Sequence, residues 1–302
     1  MTELLFTTKD VATMLRVDKS TVKRWTDEGK LKCFRTPGGH RKFRAEDLSQ
    51  FMAEYNYAVS PIDFFPRFAS DESIFRGMIA HKEFNVLDSV CFSAAIKGSK
   101  DELIKLFSEA YRNGMTLPVI LDEIFRPTIK KISDLHRSGK LQAAERQLAL
   151  TTLANSVVLL SEVITRPAPN GMKVICAMVE NDIDDLELKA LIILLESQGY
   201  EVLNLGAGCP ADSVAQLVQI KLPHFVFLLA SVPQKEEVVV PELQRIYAAL
   251  STYGGRLIIG GAGYTSDLLA QSIAGAYDLH CSTFKEFAGL HFEKVSVKKD
   301  EK

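Results

Sequence analysis

Nothing in the 302-residue sequence approaches the ~18 consecutive apolar residues of a membrane-spanning helix, and Met1-Thr2-Glu3 does not open a secretory signal. A cytoplasmic protein with no membrane partner is expected. Cysteine is sparse: Cys33, Cys91, Cys176, Cys209 and Cys281 are odd in number, widely scattered and without a C-x-x-C pair. They read as reduced thiols, several in cores, and not as a zinc site or a disulfide framework. Also missing are a P-loop, a G-x-S-x-G elbow and a Cys-His pair at local spacing. Gly206-Ala207-Gly208 is a lone short glycine pattern after the second expected strand, the wrong place for a dinucleotide fingerprint. Catalysis is not expected.

Charge is nearly balanced overall, 36 Lys and Arg against 38 Asp and Glu, for a net −2. It is not evenly spread. The first fifty residues hold eleven Lys and Arg against seven Asp and Glu, so they carry +4 and the remainder −6. Positive potential is concentrated at one end, and the rest should not bind polyanions on its own.

That basic segment is patterned. Val11, Ala12, Met14 and Leu15 have the spacing of a short helix on a core. Asp18 is placed as the N-cap of a second helix, which turns Val22 and Trp25 inward and presents Ser20, Thr21, Lys23 and Arg24. Small polar residues at such a helix start suit base edges or phosphates, and the bases suit phosphates. Next comes Arg35-Thr36-Pro37-Gly38-Gly39-His40-Arg41-Lys42-Phe43, a glycine-hinged turn with cations on both sides. Gly38 and Gly39 permit the turn; Arg35, His40, Arg41 and Lys42 would grip phosphates. Helix-turn-helix geometry also occurs in protein-interaction modules, but the basic wing would then lack a purpose.

These residues resemble the winged helix-turn-helix of the MerR superfamily, in the branch whose wing reads R-T-P-G-G-H-R-K/R-F/Y; Arg35 to Phe43 match it without interruption. The resemblance implies an operator-binding regulator that acts as a dimer or tetramer on double-stranded DNA. Metal-sensing relatives place cysteines in a dimerisation helix and loop after the DNA-binding domain, and nothing equivalent stands here, so metal sensing is not expected.

The rest of the chain divides by texture. Residues 1–55 form the DNA-binding domain, and 56–71, with two prolines, read as a linker. Residues 72–166 are helical in pattern, with candidate helices near 72–80, 84–96, 99–113, 117–137 and 141–165 joined by short breaks, as in a bundle. Leu103, Leu106, Phe107 and Ala110 supply a core stripe. From 171 to 297, apolar runs at 173–178, 200–204, 224–230 and 256–260 alternate with helical segments such as 186–198 and 239–252. This predicts a flavodoxin-like, doubly wound parallel sheet, with any ligand beyond the carboxyl ends of the strands.

The whole order is similar to the CarH/CarA/LitR group of MerR-like regulators, where bundle and α/β domain sandwich adenosylcobalamin. That resemblance implies a D-x-H-x-x-G motif after the first strand; here it reads Asp182-Ile183-Asp184-Asp185-Leu186-Glu187, with Asp184 in place of the cobalt-ligating histidine and Glu187 in place of the glycine. A carboxylate is a poor substitute for imidazole on a corrin cobalt. Leu205-Gly206, Pro210, Ser231 and Gly260-Gly261 match the later motif. In the bundle, the group's W-x9-E-H aligns with His136, Arg146 and Gln147. The expectation is no cofactor, with residues 72–290 serving oligomerisation or docking of a regulatory protein. The alternative is cobalamin or another tetrapyrrole with altered axial ligation, to which His136 would be a candidate ligand. A third reading makes the acidic cluster Glu180, Asp182, Asp184, Asp185 and Glu187 a receiver for a metabolite or cation.

Overall fold

The computed structural model describes residues 5–15, 17–44, 47–48, 50–51, 77–271 and 275–290. They fall into two compact units, Met1–Leu160 and Ser161–Lys302. The expected linker, residues 72–76 and residues 291–297 of the expected α/β domain lie outside the described residues.

The first unit opens with a strand the sequence pattern did not announce, β1 (Leu5–Thr7). It leads into α1 (Thr8–Met14), α2 (Lys19–Asp27), and the short strands β2 (Phe34–Arg35) and β3 (Arg41–Arg44). β3 is the central strand of an antiparallel sheet ordered β1-β3-β2. Asp18 stands at the N-cap of α2 with extended backbone, but its side chain makes no cap. Its carbonyl oxygen instead accepts from the Thr21 and Val22 amides.

The same unit continues through α3 (Phe84–Lys97), α4 (Lys100–Arg112), the run from Leu117 to Arg137, and α7 (Ala143–Leu160). Gly98 ends α3 in a left-handed conformation at φ 72, where glycine avoids the Cβ penalty. The run 117–137 is not the uninterrupted helix that periodicity suggests. It consists of α5 (Leu117–Ile120), a π-turn (Leu121–Phe125) and α6 (Arg126–Arg137). Pro127 has no amide to donate and its ring crowds the preceding turn, so the wider π ladder relieves that crowding. Thr128 Oγ1 donates to Ile124 O at 2.8 Å within the disturbed stretch. The expected stripe Leu103, Leu106, Phe107 and Ala110 is fully buried, and α7 packs on α3 and α4. α7 begins later and ends earlier than the expected 141–165, because Glu145 turns back to accept from the Gln142 amide at 2.8 Å and a turn follows Leu160.

The second unit is doubly wound: β4 (Lys173–Met178), α8 (Leu186–Ser197), β5 (Glu201–Gly206), α9 (Ala211–Lys221), β6 (Phe225–Leu229), α10 (Glu236–Ser251), β7 (Arg256–Gly260), α11 (Ser266–Gln271), β8 (Leu279–Cys281) and α12 (Phe284–Ala288). All pairings are parallel, in the order β5-β4-β6-β7-β8. This is the flavodoxin-like arrangement, whose order reverses between β4 and β6. Central strands are apolar on both faces, as a covered parallel sheet requires. One face meets α9 and α10 through Ile175, Val226, Leu228, Leu243 and Ile246; the other brings Phe225 and Phe227 toward Phe287 of α12. Each such fully buried side chain contributes about 1.5–3 kcal/mol. β8, α11 and α12 escaped the sequence reading because each is shorter than the window in which periodicity is legible. α10 starts three residues before the expected 239, where Glu236 and Glu237 suit the helix N-terminus.

The loop after β7 lies against the loop after β6. Gly261 has φ +95, and a Cβ there would meet Ala230 O at 2.4 Å. Gly261→Ala is therefore expected to lower stability by about 2–4 kcal/mol, read as an earlier denaturant midpoint at an unchanged slope.

Candidate nucleic-acid interface and switch-point crevice

In the first unit, Val22 and Trp25 hold α2 to the core, and the Trp25 and Phe51 rings lie 5.1 Å apart. The opposite side carries Ser20, Lys23 and Arg24 exposed, with Thr21 half-buried. The hairpin β2–β3 is closed by Gly39 at φ +75, by the Gly39 amide donating to Thr36 O at 2.8 Å, and by the Thr36 amide donating to His40 O at 3.0 Å. Gly38, Gly39 and His40 are exposed at its tip. The wing expected at residues 35–43 is thus a tight antiparallel hairpin beside α2.

Its cations are not equivalent, because successive strand residues alternate faces. Arg41 shares its face with buried Phe43 and turns inward, where it pairs with Asp27; Arg35 is exposed. Lys42 is half-buried, and Arg44 is exposed with its guanidinium 5.7 Å from the Phe34 ring centre. Arg44 and Asp27 were missed by the sequence reading. The signal was present for both: Arg44 is two residues beyond Lys42 on the same strand face, and an acid at a helix C-terminus opposes the helix dipole and so needs a partner. Glu28 is in the same position. Its carboxyl is held below the usual range by a hydrogen bond from Lys30, with the Lys30 and Arg24 charges adding to it.

In the second unit, the crevice at the switch point lies between the loops after β4 and β6. Asp182, only 2 % exposed, spans it. Its carboxylate accepts from the Ser231 amide, from Ser231 Oγ at 2.7 Å, from the Val232 amide at 3.2 Å and from the Asp184 amide at 3.1 Å. Asp184 in turn accepts from the Leu186 amide at 3.4 Å at the start of α8, and Asp185 pairs with Lys189. Three of the acids in the expected cluster are therefore tied into loop and helix start. Among the described residues no group of three or more His, Cys, Asp and Glu could hold a metal ion.

Gly260 and Gly261 are needed by the chain's own packing. A Cβ on Gly260 would meet the Phe287 ring at 2.4 Å and Cys281 O at 2.7 Å. Gly206 and Gly208 differ: both have positive φ and no atom within 4 Å of an added Cβ. Beside this crevice Ile183 is 88 % exposed, and Val232 and Val238 are exposed too. No histidine occurs in the loops following the four main strands (179–185, 207–210, 230–235 and 261–265).

In the bundle, His136 Nδ1 donates to Leu141 O at 2.9 Å, Gln147 Nε2 donates to Thr151 Oγ1 at 3.3 Å, and the Arg146 amide bonds Gln142 O. Burial pushes the Cys91 thiol up to about 12 and the Cys281 thiol to about 11. Both are poor nucleophiles at neutral pH.

One buried acid was not anticipated. Glu242 of α10, 4 % exposed, accepts from the Glu180 amide at 2.9 Å, while Glu180 reaches the Ala211 amide at 3.3 Å. Desolvation, with the Glu180 charge adding, lifts the Glu242 carboxyl from 4.5 to about 7, against the Glu180 amide and Arg245. A native value above the unfolded one means the contribution is fully present below pH 4.5 and is lost as pH rises through about 7. Glu242→Gln should unfold like the wild type near pH 5 and be more stable at pH 8 by about 1–3 kcal/mol, as measured by denaturant titration at both pH values.

Residues 5–56 match the helix-turn-helix domain family. The chain is 32 % identical over 114 residues to the transcriptional repressor DcmR of Methylorubrum extorquens, a match covering 37 % of this chain and 42 % of that protein. It is 26 % identical over 192 residues to the methanol–corrinoid protein of Methanosarcina barkeri, covering 60 % and 67 % respectively. The chain thus spans about two fifths of the repressor's length. Among solved structures, the monomethylamine corrinoid protein of Methanosarcina barkeri aligns at a TM-score of 0.54 with 16 % identity, over 66 % of this chain and 93 % of that one. At that identity the likeness is one of fold. No helix among the described residues is long and apolar enough to cross a membrane. The chain thus joins an N-terminal helix-turn-helix domain to the doubly wound fold that a corrinoid protein also has.

Proposed function

We propose that this chain is a cytoplasmic, DNA-binding transcriptional regulator that reads operator DNA with α2 and the β2–β3 wing. The observation that carries the reading is geometric: Ser20, Lys23 and Arg24 are exposed on the helix face beside a basic hairpin, on a chain whose net charge is −2. Positive charge is gathered where phosphates would lie. Ser20 and Thr21 at the helix start reach base edges; Lys23, Arg24, Arg35, His40 and Lys42 lie along the backbone. One such unit buries too little surface for tight specific binding, so the regulator acts as a dimer or tetramer on paired half-sites. The wing Arg35 to Phe43 supports a place in the MerR superfamily near the CarH type.

Residues 72–290 then serve oligomerisation or docking of a regulatory protein, without catalysis. Three observations support a sensor module changed from the histidine-ligated corrinoid mode. Asp184 is engaged at the α8 N-terminus, Ser231 is engaged by Asp182, and the loops at the carboxyl ends of the main strands contain no imidazole. The residues present do not fit that ligation.

The DNA reading is tested by titrating a labelled duplex with the full chain over ~50–200 mM salt. Arg24→Ala should weaken binding about tenfold and lower the salt slope by about one while leaving the domain folded; unchanged affinity and slope remove Arg24 from the interface.

A second reading, cobalamin bound without a histidine from the loop, draws on the corrinoid-protein likeness, on the open backbone of Gly206 and Gly208 and on exposed Ile183 and Val232 in the loops after β4 and β6. It is tested by the visible spectrum after dark incubation with adenosylcobalamin and desalting. Retained corrin absorbance favours it; a colourless protein that still binds DNA favours the scaffold.

A further inference from the structure

The antiparallel register of the wing sets Arg35 directly opposite Arg41. Like charges so placed repel, and both lie toward one carboxylate at the end of the recognition helix. Arg41 Nη2 donates to Asp27 Oδ1 at 2.5 Å, and Arg35 Nη2 stands 3.9 Å from the same oxygen. The two arginines differ in burial. The Arg41 side chain is 14 % exposed and its buried Nε has no hydrogen-bond partner among the described residues, whereas that of Arg35 is 61 % exposed. Turning Arg41 outward to a phosphate would take it off the face it shares with Phe43 and break its hydrogen bond to Asp27, whose own side chain is 61 % exposed.

Asp27 is also placed against its own helix. It is the last residue of α2, where a negative charge meets the negative end of the dipole. β2 is an edge strand of the three-stranded sheet and has only two residues, so few hydrogen bonds of its own hold it to β3. An acid that is unfavourable for its helix and close to both wing arginines makes physical sense as a tie between the two elements.

Resting on the DNA reading above, we propose that Asp27 is a positioning residue: it locks Arg41 as a strut between recognition helix and wing, so that Arg35, Lys42 and Arg44, and not Arg41, meet phosphates. The strut sets the spacing at which α2 and the wing engage one duplex together. Arg35, farther from the carboxylate and exposed, can leave it for a phosphate at little cost.

Asp27→Asn separates this role from simple electrostatics, because the two predict opposite signs. Removing a negative charge beside a polyanion should tighten binding. Removing a strut should loosen it despite the added positive charge. With the full chain and a labelled 30-bp duplex of mixed sequence, Asp27→Asn is expected to raise Kd about fivefold and to lower the salt slope by about one. The loss in the double variant Asp27→Asn/Arg41→Gln should be no greater than that of the worse single variant, because the pair acts as one unit. Trp25, the sole tryptophan, is buried in the same helix and its emission reports whether α2 stays packed. Should the Asn variant lose that signal, Asp27→Glu keeps the charge and displaces it by one methylene; weakened binding supports the strut, and wild-type affinity overturns it. Tighter binding by a folded Asn variant, or full additivity in the double variant, overturns the strut alone. A wild-type chain without salt-dependent duplex affinity overturns the DNA reading and this inference with it.

Discussion

A carboxylate withdrawn from water must be answered by donors, and in the α/β unit that requirement falls on Asp182. Its two oxygens accept from three backbone amides and one hydroxyl, drawn from the loops after β4 and β6. Hydrogen bonds to an ionised acceptor are the strong ones, and losing the acceptor would strand several donors at once. The loops at the switch point are therefore held by one side chain. The Gly263 amide bonds Ala230 O at 2.8 Å, and the Ala230 amide bonds Gly260 O at 3.0 Å, extending the stitching to β7. Glu242 ties the start of the β4 loop to α10.

Seen from that interaction, the carboxyl end of the sheet divides into a closed part and an open part. Asp182, Ser231, Gly260 and Gly261 belong to the closed part, where polar groups and glycines serve the chain's own contacts. Gly206, Gly208, Ile183 and Val232 border the open part. Asp182, Ser231, Gly260 and Gly261 thus serve contacts within the chain itself, and Ile183 and Val232 are exposed on the loops that follow β4 and β6.

The helix-turn-helix unit follows the same logic with opposite sign. A surplus of cations is useful to a DNA reader only if the domain tolerates its own repulsion. Asp27 and Glu28 at the end of α2 face Arg41, Arg35, Lys30 and Arg24. Near the start of the same helix, Lys19 to Trp25 carries Ser20 and Lys23 and contains no acid. The helix thus carries acids at its C-terminal end and hydroxyls and bases toward its N-terminal end.

Much of this was legible in the sequence. The wing was readable because Pro37-Gly38-Gly39 between cations demands a turn, and the doubly wound sheet because strands buried on both faces form continuous apolar runs. Elements below the length of a hydrophobic period, β1, β8 and α12, were not. The inward turn of Arg41 was latent in its alternation with Phe43, but a charge in an apolar position becomes intelligible only once its partner is seen. The sequence by itself determined the longer helices, the apolar strands of the α/β unit, the wing turn and where positive charge gathers, because these depend on local propensity and spacing. Only the tertiary structure decided what Asp27, Asp182 and Glu242 do, because their partners stand 14, 49 and 62 residues away and a carboxylate's role depends on which donors the fold brings to it.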